Sequence, residues 1–235
     1  MTESNALVNA PVNADVDADV APHKVFEYKS SFLSIFQVTN QNTLLRDLIN
    51  QCVLKMYELN VLVIKPPIMI MGKQCHQQRN ICNFSNVSMG YKYSGQIIKS
   101  VLLPECFKLL LNYTNNKYNS DFNSILVNEY LNGDEYIGRH ADNENALNPN
   151  CGVVGLSIGA TRKFRLRALN KIIDENGKEH LPPVLYEHLT GNYEFMQMGG
   201  NFQKELTHEI PKETRILDKR ISFTFRHFIQ TQNKK

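Results

Sequence analysis

The segment Arg220–Arg226 alternates polar and apolar side chains without exception. Because successive side chains of a β-strand point to opposite faces, Ile221, Phe223 and Phe225 belong against a core. The opposite face then carries Arg220, Ser222, Thr224 and Arg226. Two interpretations remain open at this point. The strand is either an ordinary amphipathic surface strand, or it lines a barrel in which two guanidiniums and two hydroxyls grip a dicarboxylate.

A second informative stretch, Ile125–Glu144, begins with three apolar residues and places Asn128 and Tyr130 two positions apart. The Asn-Gly pair within Leu131–Asp134 favours a tight reversal of the chain.

His140 and Asp142 follow, again two residues apart, so in an extended strand both side chains point the same way. An imidazole beside a carboxylate is half of a metal site. A third ligand from elsewhere would complete the two-histidine, one-carboxylate set that suits a non-heme Fe(II) oxygenase. His208, taken alone, is one of seven histidines in the chain. For both H-x-D and an isolated histidine, an ordinary surface position is the common alternative.

Length and composition predict the general class of protein. A chain of 235 residues is long enough for one large domain with a substantial core. Its net charge of +3 is too small to indicate a nucleic-acid partner by itself. Five cysteines without regular spacing indicate a reducing compartment. With no membrane-length apolar run and no evident signal peptide, we expect a soluble intracellular monomer, nuclear or cytoplasmic. Residues 1–22 contain no aromatic and predict a disordered tail.

The remaining pattern predicts two helices and many short strands. Apolar residues at helical spacing predict a helix over Leu44–Tyr57 capped by Asn42 or Thr43, and a second helix over Glu105–Tyr113, followed by an Asn-rich turn over 115–119. Asp174–Gly177 predicts a hairpin turn. Further strands are expected at 152–159, 163–167, 184–189 and 193–198. This mainly-β α+β pattern indicates a sandwich or jelly roll.

No acidic residue occurs between Leu59 and Pro104, where basic residues and aromatic residues interleave. The cations are Lys65, Lys73, Arg79, Lys92 and Lys99, and the aromatics include Phe84, Tyr91 and Tyr93. Cations and flat stacking surfaces are what a nucleic-acid groove requires. A solvated face with ordinary core aromatics explains the same composition.

In combination, these motifs resemble one known family. The motifs are N-x-Y at Asn128, H-x-D at His140, the distal His208 within QKELTHEIPK, and R-x-S-x-T-x-R at 220–226. Their order is similar to that of the AlkB-type Fe(II)/2-oxoglutarate-dependent nucleic-acid dealkylases, and the similarity runs from about Met71 to Phe228.

The resemblance implies a fold and a domain organisation. A single domain would occupy residues 23–235 after the disordered tail. It would contain a double-stranded β-helix (jelly-roll) core at about 120–229, N-terminal helices, and a nucleotide-recognition lid at about 65–100.

The resemblance also implies roles for individual positions. Fe(II) would be bound by His140, Asp142 and His208, with 2-oxoglutarate and O2 as cosubstrates. Arg220 and Tyr130 would hold the distal carboxylate of 2-oxoglutarate. The other positions matched to the cosubstrate are Asn128, Ser222, Thr224 and Arg226. Contacts with the methylated substrate are implied at Met71, Lys73, Arg79, Tyr91, Tyr93 and Glu144.

The implied activity is oxidative dealkylation of N1-methyladenine and N3-methylcytosine in DNA or RNA, releasing formaldehyde, succinate and CO2. Two alternatives remain: an oxygenase of the same fold that hydroxylates a protein or a lipid, and a non-catalytic nucleic-acid binder. Duplex-acting relatives carry an aromatic finger before a Gly-Lys pair, where this chain has Met71. A thioether offers no flat face, so a preference for single strands is expected.

Overall fold

The computed structural model describes residues 21–70, 72–93, 96–142 and 146–229, with the backbone alone for residues 70, 92, 93 and 96. Most of the expected disordered tail, residues 1–20, lies outside the described residues.

The helices are α1 (Thr43–Glu58), α2 (Glu105–Tyr118) and α3 (Phe202–Glu205). The strands are β1 (His23–Tyr28), β2 (Ser31–Gln37), β3 (Pro67–Ile70), β4 (Lys73–His76), β5 (Asn80–Ser85), β6 (Gly90–Tyr93), β7 (Gln96–Val101), β8 (Ser124–Tyr130), β9 (Ile137–His140), β10 (Val153–Gly159), β11 (Lys163–Ala168), β12 (Ile172–Ile173), β13 (Glu179–His180), β14 (Val184–Leu189), β15 (Glu194–Gly200), β16 (Leu206–Ile210) and β17 (Arg220–Arg226).

Both predicted helices are present. Helix α1 is capped by Asn42, whose Oδ1 accepts a 3.1 Å hydrogen bond from the Leu45 amide. Helix α2 begins at Glu105 as expected but continues through the predicted Asn-rich turn, which was therefore wrong. The reason is burial, because Thr114 and Tyr118 extend the apolar stripe of α2 at helical spacing. The helix ends at Asn119, which adopts a left-handed conformation.

The strands form two main sheets. The larger has nine strands in the order β1-β2-β15-β10-β17-β8-β5-β7-β6, and the smaller has four in the order β14-β11-β16-β9. The predicted hairpin at Asp174–Gly177 is confirmed, since it joins β12 to β13 in a separate two-stranded sheet. The hairpin β3–β4 forms another two-stranded sheet. The expected mainly-β architecture is therefore confirmed.

Two apolar layers hold the fold together. In the first, α1 and α2 pack on one face of the large sheet, with Phe84, Phe107 and Phe223 among its fully buried residues. The second layer lies between the two sheets and includes Phe164 and Leu166. The large sheet is thus covered on both faces, and the space between the sheets is where the polar face of β17 points.

The connection Leu131–Asp134 carries the chain from the large sheet to the small one. It turns as predicted, but Gly133 is not in the left-handed region that an Asn-Gly hairpin turn uses. Glycine is required here for close approach, because a Cβ at Gly133 would lie 1.9 Å from the Glu213 carbonyl oxygen. The backbones of Gly133 and Glu213 are joined by a 2.8 Å hydrogen bond. This contact fixes the point at which the strand carrying Tyr130 gives way to the strand carrying His140.

Candidate metal and cosubstrate site

Strand β17 lines a cavity between the two sheets. All seven of its residues are buried, which excludes the surface-strand interpretation of the alternating pattern. Ile221, Phe223 and Phe225 belong to the layer beneath the helices. The polar residues line the cavity instead, namely Arg220, Ser222, Thr224 and Arg226.

Strand β8 brings two further predicted residues to the same wall. It pairs with β17 so that Asn128 lies opposite Ser222 and Tyr130 lies opposite Arg220. Both side chains line the cavity. The six residues that the sequence matched to the cosubstrate are therefore brought together by the register of two neighbouring strands.

The small sheet supplies the opposite wall, with the candidate metal ligands. His140, at the end of β9, is paired directly with His208 on β16, and their ring centroids are 4.2 Å apart. Asp142 lies two residues past the end of β9. The candidate ligand atoms of His140, Asp142 and His208 all lie within 4.8 Å of one another, so the site can hold one metal ion.

Hydrogen bonds orient these side chains. The Nδ1 of His140 lies 2.8 Å from the Gly138 carbonyl oxygen, to which it donates in the tautomer that leaves Nε2 free as a ligand. The Asp142 amide donates to Gln203 Oε1 over 2.8 Å, and Arg226 Nη2 donates to Asp142 Oδ1 over 2.8 Å. His208 Nδ1 is buried and has no hydrogen-bond partner among the residues that the structure describes.

The electrostatic environment favours the protonation states that bind metals. Burial lowers the pKa of His208 to about 3, with a further contribution from His140, and burial likewise lowers the pKa of His140. Burial alone would raise the pKa of Asp142, but Arg226 and the two imidazoles outweigh it and hold the pKa at about 2. Two neutral imidazoles and an ionised carboxylate are the donor set of a 2-His-1-carboxylate Fe(II) site. The residues therefore fit this metal.

Arg220 is a buried cation at the other end of the cavity. Its Nε donates to Ser157 Oγ over 2.9 Å, and its guanidinium lies 5.6 Å from the Tyr130 ring centroid. Burial is the main cause that lowers the pKa of Arg220, to about 10. Within the described part of the chain no carboxylate forms a salt bridge with Arg220. A buried guanidinium without an anion is well suited to receive one from a ligand.

The residues predicted to contact the substrate are divided. Lys73 is exposed on β4, as a phosphate-binding residue requires. Arg79 and Tyr91 are 2% exposed and line the cavity, so both are buried beside the candidate metal ligands. Arg79 Nε donates to Asn128 Oδ1 over 2.7 Å, and Tyr91 lies under the Arg226 guanidinium. Met71, Glu144 and the side chain of Tyr93 lie outside the described residues.

A second cavity of about 340 Å³ adjoins Asp142 and Arg226. This volume falls within the range of about 300–1,000 Å³ that is typical of small-molecule sites. Its walls come from the segment after the H-x-D motif and from α3, including Asn148, Asn201 and Lys204. Asp142 and Arg226 therefore border both this cavity and the cosubstrate cavity.

Residues 32–226 match the model of the 2OG-Fe(II) oxygenase superfamily. The chain belongs to this superfamily. Members of this superfamily use Fe(II), 2-oxoglutarate and O2. The geometry agrees with this assignment, because the candidate iron ligands and the buried Arg220 face one cavity.

Relatives of this 2OG-Fe(II) oxygenase include nucleic-acid demethylases. The chain is 24% identical over 166 residues to human DNA oxidative demethylase ALKBH2, covering 70% of this chain and 62% of that protein. It is 32% identical over 108 residues to human alpha-ketoglutarate-dependent dioxygenase alkB homolog 3, covering 45% of this chain and 36% of that protein. The predicted AlkB-type resemblance is confirmed as a distant one.

Solved structures confirm the double-stranded β-helix fold. The structure of OsALKBH1 aligns with a TM-score of 0.50 and 14% identity, covering 87% of this chain and 100% of that one. A Trichoplax adhaerens prolyl hydroxylase in complex with a hypoxia-inducible factor fragment aligns with a TM-score of 0.53 and 12% identity, covering 83% of each chain. Among the described residues, no helix is long and apolar enough to cross a membrane.

Two residues at the site, Gln203 and Ser157, were not singled out from the sequence, and the contact of Arg79 with Asn128 was not expected. Gln203 accepts a hydrogen bond from the Asp142 amide, Ser157 accepts one from Arg220, and Asn128 accepts one from Arg79. Each contact joins positions that are at least 49 residues apart. No local pattern could have revealed these contacts, because they depend on the pairing of strands and on the return of α3 beside the H-x-D segment.

Proposed function

We propose that this oxygenase removes methyl groups from N1-methyladenine and N3-methylcytosine in DNA or RNA, with a preference for single strands. The observation that carries the proposal is the convergence of His140, Asp142 and His208 in one cavity with Arg220, which forms no salt bridge with a carboxylate of the described residues. The relatives whose names specify nucleic-acid demethylation supply the substrate class. The chain spans about three fifths of the length of human ALKBH2. The proposed substrate therefore rests on this chain's own residues as well as on its relatives.

In this proposal, His140, Asp142 and His208 hold the iron. Arg220 and Tyr130 bind the distal carboxylate of 2-oxoglutarate, since Arg220 is buried and lacks an anion. Bound Fe(II), with 2-oxoglutarate and O2, would supply an oxidant that hydroxylates an N-methyl group. The hydroxymethyl group is lost as formaldehyde, and 2-oxoglutarate is converted to succinate and CO2.

The other cavity residues would support this arrangement. Arg226 keeps Asp142 ionised and oriented. Asn128 is held by Arg79 and faces the iron-chelating end of the cosubstrate, and the hydroxyls of Ser222 and Thr224 complete the wall. The buried cations Arg79, Arg220 and Arg226 together make the cavity attractive to a dianion.

Exposed lid residues support a nucleic-acid substrate. Lys73 and Lys99 are exposed, and in the same 65–100 segment Met89 and Ile97 are 92% and 61% exposed. Cations would bind phosphates, while the apolar side chains would contact unstacked bases. Met71 stands where duplex-acting relatives have an aromatic finger, which favours substrates that need no unpairing.

A turnover screen tests the proposal. Oligonucleotides containing N1-methyladenine, N3-methylcytosine or no methyl group, each single-stranded and annealed, are incubated with Fe(II), ascorbate and 2-oxoglutarate. We expect formaldehyde from the methylated oligonucleotides alone, and faster release from single strands. Failure on every methylated oligonucleotide, with turnover instead on methyl-free peptides or lipids, would contradict the proposal and favour the alternative substrate class.

A further inference from the structure

The largest fully buried side chain among the described residues is a charged one, Arg162, which is 1% exposed. Arg162 does not line the cosubstrate cavity and makes no contact with a candidate metal ligand. A buried guanidinium is expensive unless its hydrogen bonds are satisfied. Its partners therefore indicate what its burial achieves.

Arg162 binds backbone carbonyls from two separate segments. From the connection between β8 and β9, it reaches the carbonyl oxygens of Asn132 at 3.1 Å and Glu135 at 2.8 Å. From the segment after β16, it reaches the Pro211 carbonyl oxygen at 2.7 Å and the Glu213 carboxylate at 3.2 Å. A planar guanidinium with fixed donors sets the angle between these segments as well as their separation.

These two segments are the ends of the strands that carry the site. The Asn132–Glu135 connection follows Tyr130 and leads into the strand that ends at His140. Pro211 directly follows the strand that carries His208. One guanidinium thus fastens the strand of the cosubstrate residues to both strands of the histidine ligands.

Arg162 also contributes charge. Its guanidinium lies 5.7 Å from the Tyr130 ring centroid, and the Arg220 guanidinium lies 5.6 Å from the same centroid. Arg162 is one of the groups that lower the pKa of Arg220, after burial. The positive charge at this end of the cavity therefore comes from two residues, although only Arg220 lines the cavity.

We infer that Arg162 is a positioning residue for the cosubstrate site. Without touching the cosubstrate, it fixes the ends of β8, β9 and β16 and adds positive charge behind Tyr130, which favours a ligand with a distal carboxylate. The inference rests on the proposed role of Tyr130 and Arg220 in binding 2-oxoglutarate.

Ligand binding without turnover tests this inference. Affinities of the Mn(II)-loaded protein for 2-oxoglutarate and for 2-oxopentanoate, which lacks the distal carboxylate, are measured by calorimetry. We expect Arg162→Gln to weaken 2-oxoglutarate binding about tenfold or more and to reduce the preference over 2-oxopentanoate, while Arg162→Lys recovers part of the loss. The matched control is Arg165→Gln, because Arg165 lies three residues after Arg162, on β11, and forms a partly exposed salt bridge with Glu187.

A purely structural role gives a different pattern. In that case Arg162→Gln lowers the Tm but leaves the affinity and the preference of the folded protein unchanged, which would overturn the inference. If Arg162→Gln does not fold, Arg162→Lys decides, since unchanged 2-oxoglutarate affinity and preference in that variant contradict the inference. If the wild-type protein binds 2-oxoglutarate no better than 2-oxopentanoate, the proposed binding of the distal carboxylate by Arg220 and Tyr130 is itself wrong.

Discussion

The guanidinium of Arg226 donates a 2.8 Å hydrogen bond to Asp142 Oδ1, with the two side chains only 4% and 3% exposed. This buried pair joins β17, a central strand of the large sheet, to the candidate metal ligand Asp142. Because Arg226 holds the pKa of Asp142 at about 2 against the effect of burial, the carboxylate is ionised throughout the physiological range.

Breaking this pair on one side should be costly. Arg226→Met leaves a buried carboxylate without its cation, and we expect the free energy of unfolding to fall by about 3–5 kcal/mol. The double variant Arg226→Met/Asp142→Asn should regain part of that loss, because neither charge remains. Urea unfolding at neutral pH measures both. A double variant no more stable than Arg226→Met would show that the pair is not what stabilises Asp142.

Arg220 should determine the affinity for 2-oxoglutarate. Loss of a charge-assisted bidentate contact costs roughly 1.5–3 kcal/mol, so Arg220→Ala should weaken binding by about ten- to a hundredfold. Arg220→Lys should not fully restore it, since an ammonium lacks the planar fork. Calorimetric titration of the Mn(II)-loaded protein measures the affinity, with Lys163→Met as a surface control. Unchanged affinity in Arg220→Ala would mean that the cosubstrate binds elsewhere.

The polar face of β17 and the His140–Asp142 pair could be predicted from local sequence, whereas His208 was assigned only through the family resemblance. Alternation at 220–226 and the spacing of His140 and Asp142 are local properties that survive whatever the tertiary context is. The sequence could not decide whether β17 lies at the surface or lines a cavity. The burial of this face depends on the small sheet, whose strands come from distant parts of the sequence and cover the polar face of β17.

Contacts between distant segments could not be predicted either. Arg79 lies in an acid-free segment that looked like a solvated or nucleic-acid-binding face. In the structure it is buried, and its Nε donates to Asn128 Oδ1 on β8. Gly133 was expected to serve a turn, whereas the approach of Glu213 from a segment far along the chain requires it. Arg162 gave no signal, since its partners are backbone carbonyls that no sequence pattern encodes.

The stability of the metal-free protein should fall on acidification. The folded-state pKa of His208 is about 3, below its ordinary value of about 6.5, so the unfolded chain binds more protons between these values. Stability is then fully present above about pH 6.5 and declines as the pH falls towards 3, by at most about 1.4 kcal/mol per pH unit from this group. Urea unfolding in the presence of a chelator at pH 7 and at pH 4.5 tests this. His208→Asn should show a shallower decline, and an identical slope in the variant would contradict it.

The residue at position 71 should influence strand preference. Met71→Phe supplies the flat face that can fill the gap left by a flipped base, so the ratio of duplex to single-strand turnover should rise. The same methylated oligonucleotide, alone and annealed to its complement, gives this ratio for both proteins. Leu217→Phe, an 81% exposed position outside the lid, is the control. An equal or faster wild-type reaction on the duplex would refute the single-strand preference.

Demethylation at this site is tested most directly by one reaction on a single-stranded oligonucleotide that contains N1-methyladenine. Formaldehyde, succinate and the mass of the oligonucleotide are measured together. With wild-type protein we predict one formaldehyde per succinate and a matching loss of the methyl group, all dependent on Fe(II) and 2-oxoglutarate. Asp142→Ala and His140→Ala, if folded by circular dichroism, should form neither product. Wild-type-like turnover in either folded variant, or succinate formation that never demethylates the base, would contradict the claim that this site is an iron centre for nucleic-acid demethylation.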